Sequence, residues 1–198
     1  MGEPALKRDD TYTYGQYRLW SNEERWELID GIAWAMSAPT PRHQFLFIRL
    51  VRDFANFLDG KPCKLLAAPC DVLFPEGDED DDSVTTVVQP DLMVFCDESK
   101  IHAGAARGAP DLVVEILSPS TAKKDLNEKF NLYERYGVRE YWVIDPAART
   151  ITVYRRTNRG RFDHGELREP FQKNQRAIES SVLEGFRLEP EPLFENLP

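Results

Sequence analysis

The chain has 198 residues, 41% hydrophobic and 30% charged, with a net charge of −9. That composition suits one globular domain with a real core, and no apolar run approaches the roughly 18–20 residues of a membrane span. Met1–Asp10 lacks the apolar centre of a secretory signal, and Cys63, Cys70 and Cys96 lack metal-ligand spacing. Neither structural zinc nor a disulfide framework is expected, the cysteines read as packing residues, and a cytoplasmic setting is the default.

Residues 1–14 are polar and expected to fray. A short helix is expected to start in Tyr17–Arg25. Trp26–Ile29, Asp30-Gly31 and Ile32–Met36 predict a β-hairpin, because Asp-Gly supplies the two positive-φ positions of a tight turn. Pro39-Thr40-Pro41 breaks the chain. A helix follows over about His43–Leu58, with Phe47, Leu50, Val51, Phe54 and Leu58 at spacings of three and four. Strands are then expected at Lys64–Ala68, Asp71–Phe74, Thr85–Val88, Leu92–Cys96 and Asp111–Leu117.

The connection 75–84 carries Asp78-Glu79-Asp80-Asp81-Asp82 and reads as a solvated hairpin tip; it lacks the pattern of a calcium loop. Residues 97–109 read as a Gly/Ala-rich loop. A second helix is predicted over about Thr121–Tyr136, capped from Ser118-Pro119-Ser120-Thr121 and stopped by Gly137. Glu140–Asp145 and Thr150–Arg155 form a strand pair, with short strands near Ala177–Val182 and Phe186–Leu188. The order predicts an α+β sandwich: a mixed central sheet flanked by helices, in one domain spanning 15–198.

Charge is unevenly spread. Residues 1–99 carry nine Lys and Arg against nineteen Asp and Glu, whereas 100–161 carry twelve against seven. The acidic balance argues against a generic nucleic-acid binder, but the basic segment contains the most telling carboxylate. Asp91, after Pro90, and Glu115, in Leu112–Leu117, each interrupt an apolar strand. Burying two carboxylates on neighbouring strands is costly unless a cation lies between them, and a divalent metal is the simplest compensation. Metal-assisted phosphodiester hydrolysis is the chemistry that most often follows.

Strand parity puts Glu115 on one face with Leu117. A nuclease strand of the D/E-x-K type carries lysine where Leu117 stands. On the following helix, a 100° step places Leu126, Phe130 and Tyr133 on the buried stripe. Lys129 falls on one margin beside Asp125, and Lys123 on the other. A margin lysine can deliver its ammonium to a cleft, or simply pair with Asp125 four residues away. Glu27 alternates with Trp26 and Leu28, so it either projects toward the same cleft or lies on the hairpin surface. His43 reads as a capping or packing residue, and Gln89 either touches the site or satisfies backbone groups.

The pieces Glu27-Leu28-Ile29-Asp30-Gly31, Met36-Ser37, Pro41-Arg42-His43, Pro90-Asp91, Val114 to Thr121, Asp125 with Lys129, and Glu140 to Pro146 stand in one register. This stretch, Glu27 to Arg155, resembles the Uma family of restriction-endonuclease-like proteins, a bacterial branch of the PD-(D/E)XK nuclease superfamily. The resemblance implies Asp91 and Glu115 as metal ligands, Lys129 as a lysine displaced from strand to helix, a Mg²⁺ cofactor (or Mn²⁺) and DNA as substrate. Glu27 is an additional catalytic candidate, as an early acidic residue is in several such nucleases. A homodimer is expected if both strands of a duplex are cut. Two other readings remain open at this point: an inactive nuclease-fold binding or scaffold protein, and a phosphoesterase acting on RNA.

Overall fold

The computed structural model describes residues 11–20, 25–118, 125–171 and 177–198. After a four-residue helix α1 (Tyr14–Tyr17), strands β1 (Trp26–Ile29) and β2 (Ile32–Ala35) form the expected hairpin, with Trp26 opposite Ala35 and Ile29 opposite Ile32. Asp30 and Gly31 have φ of 50° and 79°. A side chain at Gly31 would also collide with Thr11, whose Cβ lies 2.7 Å from an ideal Cβ there. The long helix α2 (Pro41–Leu58) is capped by Thr40, which accepts from the His43 backbone N–H. It buries His43, Leu46, Leu50, Phe54 and Leu58, one stripe at helical spacing.

Strands β3 (Lys64–Ala67), β4 (Val72–Leu73), β5 (Val87–Val88), β6 (Leu92–Phe95), β7 (Ala106–Arg107) and β8 (Leu112–Ile116) follow. A π-helical turn, Asp125–Lys129, leads directly into α3 (Phe130–Tyr136), which ends at Gly137 with φ 91°. The chain closes with β9 (Glu140–Asp145), β10 (Thr150–Arg155), β11 (Glu166–Arg168), β12 (Ile178–Glu179), β13 (Arg187–Leu188) and α4 (Pro190–Phe194).

The result is α+β, as expected. Six strands form a mixed sheet in the order β11-β10-β9-β8-β6-β3, with β8 and β9 parallel and β6 antiparallel to β8. Five form a second sheet, β2-β1-β5-β4-β7. Alternation along β8 and β9 divides two cores. Leu112, Val114, Ile116, Trp142 and Ile144 pack against α2 and the C-terminal Phe186, Leu193 and Phe194. Val113, Leu117, Tyr141 and Val143 pack against Tyr133 of α3, Val72 and Val88 of the second sheet, and Phe74 just after β4. No helix of the described residues is long and apolar enough to cross a membrane.

Several expectations need correction. Cys63 and Cys96 form a disulfide, where only packing was expected. They flank the β3–β6 pair, whose register sets Lys64 opposite Phe95 and carries these two residues face to face one step further on. A single sequence does not reveal such a cross-strand pairing. Residues 11–14 do not fray: Tyr12 donates to the Gly31 carbonyl, Tyr14 donates to that of Val84, and helix α1 starts at Tyr14 rather than at Tyr17. The Gly/Ala-rich stretch 97–109 holds a short 3₁₀ turn (Glu98–Lys100) and β7, which pairs in parallel with β4. The acidic connection 75–84 does join two antiparallel strands, β4 and β5, and it is pinned by Arg107 to Asp81 and by Arg18 to Asp82. The expected cap at Ser118–Thr121 falls largely outside the described residues, and Lys123 and the Asp125 side chain lie outside them.

The π turn overturns one further expectation. Leu126 is exposed (44%), although a 100° step placed it at the centre of the buried stripe. A π turn closes i→i+5 bonds and so turns less per residue. Counted back from Phe130, that smaller step rotates Leu126 outward and Lys129 inward, and Lys129 is buried.

Candidate active site

Asp91 directly precedes β6, and Leu92 pairs with Val114 of β8. One step back along this antiparallel register sets Asp91 opposite Glu115. The two carboxylates thus meet because of strand pairing, not because of proximity in sequence. Glu115 is almost fully buried on the α3 face, and Leu117 beside it is a core residue rather than the lysine of a D/E-x-K strand.

The lysine comes from the π turn. Lys129 Nζ lies 2.8 Å from Glu115 Oε1 and 2.8 Å from Glu27 Oε1. Tyr133, four residues on and therefore on the same helical face, donates its hydroxyl to Glu115 Oε1 at 2.6 Å. Burial and the neighbouring Glu115 charge hold the Tyr133 phenol well above its ordinary pKa, so it stays a donor. Glu27 is fully buried and also accepts from the Gln89 backbone N–H at 2.8 Å; of its two expected placements, the structure has the inward one.

Asp91 is held differently. Its Oδ2 accepts from the Ile116 backbone N–H at 2.8 Å and lies 3.1 Å from His43 Nε2. His43 contributes its ring to the site, while Thr40 does the capping. The His43 Nδ1 is buried and has no hydrogen-bond partner among the described residues. Asp91 Oδ1 also makes no hydrogen bond among the described residues.

Asp91, Glu115, Lys129, His43, Gln89 and Arg25 line one cleft of about 260 Å³. Glu115 and Glu27 share one lysine, and Asp91 stands opposite Glu115 without it, so the cluster has room for added positive charge. Its hard oxygen donors suit Mg²⁺ or Mn²⁺. Among the described residues no three His, Cys, Asp or Glu side chains form a complete ligand set. A cation here would complete its shell from backbone, water and phosphate oxygens, the usual arrangement for Mg²⁺.

Sequence reasoning missed Tyr133, Arg25, Asp71 and Tyr17. Tyr133 carried a signal, its i,i+4 relation to Lys129. Arg25, Asp71 and Tyr17 carried none, because they reach Gln89 from distant segments. Gln89 Nε2 donates to Asp71 Oδ1 at 2.8 Å and to the Tyr17 hydroxyl at 3.1 Å. Burial raises the Asp71 pKa, against the lowering effect of the Gln89 amide and of the Tyr17 hydroxyl, which donates to Asp71 Oδ1 at 3.3 Å.

Comparison with known proteins agrees with this architecture. A crystal structure of "a putative nuclease belonging to DUF820" from Anabaena variabilis superposes with a TM-score of 0.71 at 21% identity, covering 92% of this chain and 97% of that one. The uncharacterized protein slr1290 of Synechocystis sp. is 28% identical over 148 residues, 73% of this chain and 74% of the relative. The model of the Uma2 family, described as "Putative restriction endonuclease", matches residues 14–191. The chain belongs to the Uma2 family.

Proposed function

We propose that this protein is a metal-dependent endonuclease that hydrolyses DNA phosphodiester bonds in the cleft between β6, β8 and the π turn. The observation that carries the reading is the convergence of Asp91 and Glu115 on one cleft with a lysine bridging Glu115 to Glu27. Asp91 and Glu115 are the proposed ligands of Mg²⁺ or Mn²⁺. When bound, the cation supplies Lewis-acid stabilisation of phosphate charge and lowers the pKa of a coordinated water.

The chain's own residues do the rest. The Ile116 N–H and His43 fix one oxygen of Asp91, which leaves the other available to a ligand. Lys129 offsets the Glu115 and Glu27 charges, and its ammonium is the group proposed to orient the attacking water. Glu27 keeps that ammonium in place, and Tyr133 fixes the Glu115 carboxylate. Two copies of the chain are proposed to act together on a duplex; light scattering reports whether the particle mass is 22.8 kDa or twice that.

The test is nicking of supercoiled plasmid by the purified chain with Mg²⁺ or Mn²⁺, with single-stranded RNA assayed in parallel. The expected result is nicked DNA in either metal, none in chelator, and none from D91N or E115Q proteins that melt cooperatively. Cleavage of RNA alone would move the substrate to RNA. A wild-type protein that cuts neither would sink the reading.

A further inference from the structure

A phosphodiester entering this cleft meets negative charge from Asp91 and Glu115, with Glu27 buried behind Lys129, so it needs a cation that is not already committed. Lys129 is committed, with Glu115 and Glu27 each at 2.8 Å. Arg25 also lines the cleft and is not committed in that way. Its Nε and Nη2 donate to a single acceptor, Gln89 Oε1, at 3.0 and 2.5 Å. A guanidinium carries five N–H donors in a planar fork, so one amide oxygen leaves most of them unused. Nη1 has no partner among the described residues.

The orientation of this fork is over-determined. Arginine can only donate and a carboxylate can only accept. Gln89 therefore turns its oxygen to Arg25 and its nitrogen to Asp71, and a flip would lose both sets of contacts. Its backbone N–H is tied to Glu27, the carboxylate that holds Lys129. The Arg25 carbonyl accepts from Met36, which extends the β1–β2 ladder and fixes the arginine's backbone. A rigid, planar, permanently charged donor at the rim of an acidic cleft matches the geometry of a phosphate's non-bridging oxygens.

We infer that Arg25 is a phosphate-binding residue of this cleft, with Gln89 as the residue that positions it, and that its ligand is a backbone phosphate of a nucleic acid. The inference rests on the nuclease reading above. Gln89 orients the fork through its amide oxygen; Asp71 and Tyr17 orient Gln89.

The experiment measures binding of a short fluorescent DNA duplex to the full chain in a D91N background with Mg²⁺, across a range of salt concentrations. Each phosphate contact that is lost lowers the dependence of log K on log salt by about one. R25Q is expected to weaken binding about tenfold or more and to reduce that slope by about one. R25K should retain the slope but recover only part of the affinity, since an ammonium is a point charge without the fork. Q89A, which leaves Arg25 charged but unplaced, should keep the slope and lose less affinity than R25Q.

A merely structural Arg25 would lower the melting temperature without moving the salt slope. An unchanged slope in R25Q therefore overturns the inference, whatever happens to stability. Plasmid nicking separates the two levels. Wild-type cutting with an unchanged R25Q slope rejects the arginine alone, whereas a D91N parent that does not bind, with a wild type that does not cut, rejects the nuclease reading and the arginine with it.

Discussion

Two buried carboxylates sit on the same parallel strand pair, and they are built for different ends. Glu115 lies toward the end of β8; Glu140 opens β9, opposite Leu112 and on the other face of the sheet. Glu140 is fully buried and accepts from Trp142 Nε1 at 2.6 Å, from the Ser181 backbone N–H at 2.6 Å and from the Ser181 hydroxyl, with Arg155 Nε 3.9 Å away. These donors are mostly neutral, and they lash the C-terminal segment to the sheet. Glu115 is held by an ammonium that it shares with a second carboxylate, and it lines a cleft. Burial alone therefore does not mark a site. What distinguishes Glu115 is an acidic excess open to a cleft.

The largest test of that contrast is catalytic. D91N or E115Q is expected to lower DNA cleavage by about a thousandfold, the order lost when a group that stabilises transition-state charge is removed. E140Q should leave the rate per folded molecule unchanged. Initial rates normalised to the folded fraction would separate these outcomes, and a comparable loss of rate in E140Q would erase the distinction.

The next effect is on stability. K129M leaves Glu27 and Glu115 buried without their shared cation, and breaking a buried ion pair from one side costs about 3–5 kcal/mol. Adding E27Q to K129M should restore part of that loss, because one uncompensated charge is removed. Urea denaturation in chelator measures both, and a double variant less stable than K129M would argue against a shared cation.

E140Q gives a smaller effect of the same kind. It turns an amide nitrogen or a neutral oxygen toward donors now satisfied by a carboxylate, a cost of about 2 kcal/mol, or roughly 4–8 °C in Tm for a chain of this size. Calorimetry that finds no shift would show that the C-terminal lashing contributes little.

The smallest prediction concerns pH. Asp71 has a raised pKa, chiefly from burial, so the folded state holds its proton more tightly than the unfolded chain does. Its contribution is favourable below the unfolded carboxylate pKa and is lost as pH rises through the folded value. D71N removes that dependence while keeping an oxygen for Gln89. The stability of D71N relative to wild type should therefore rise as the pH climbs from the unfolded carboxylate pKa of about 4 through the higher folded value. A difference that is flat or falls with pH would contradict the direction of the shift.

Much of this was legible in the chain, for identifiable reasons. The β1–β2 hairpin followed from Asp30-Gly31, and β9 and β10 were read to the residue, because alternation and turn chemistry are local. The pairing of Asp91 with Glu115 followed from two apolar runs, each interrupted by a single carboxylate. Lys129 was narrowed to a helix margin but not distinguished from Lys123, since an ideal helical step cannot anticipate a π turn. The Cys63–Cys96 bond, the β7 pairing and the Arg25–Gln89–Asp71 chain were not legible. The first depends on the register between two strands, which one sequence does not set, and the others on contacts between distant segments.

Anomalous scattering from crystals of the full chain soaked in Mn²⁺ would locate the cation directly. A peak is expected within coordinating distance of both Asp91 and Glu115, absent in D91N. A peak elsewhere with this pair untouched, in a protein that cuts DNA under the same conditions, would contradict this expectation.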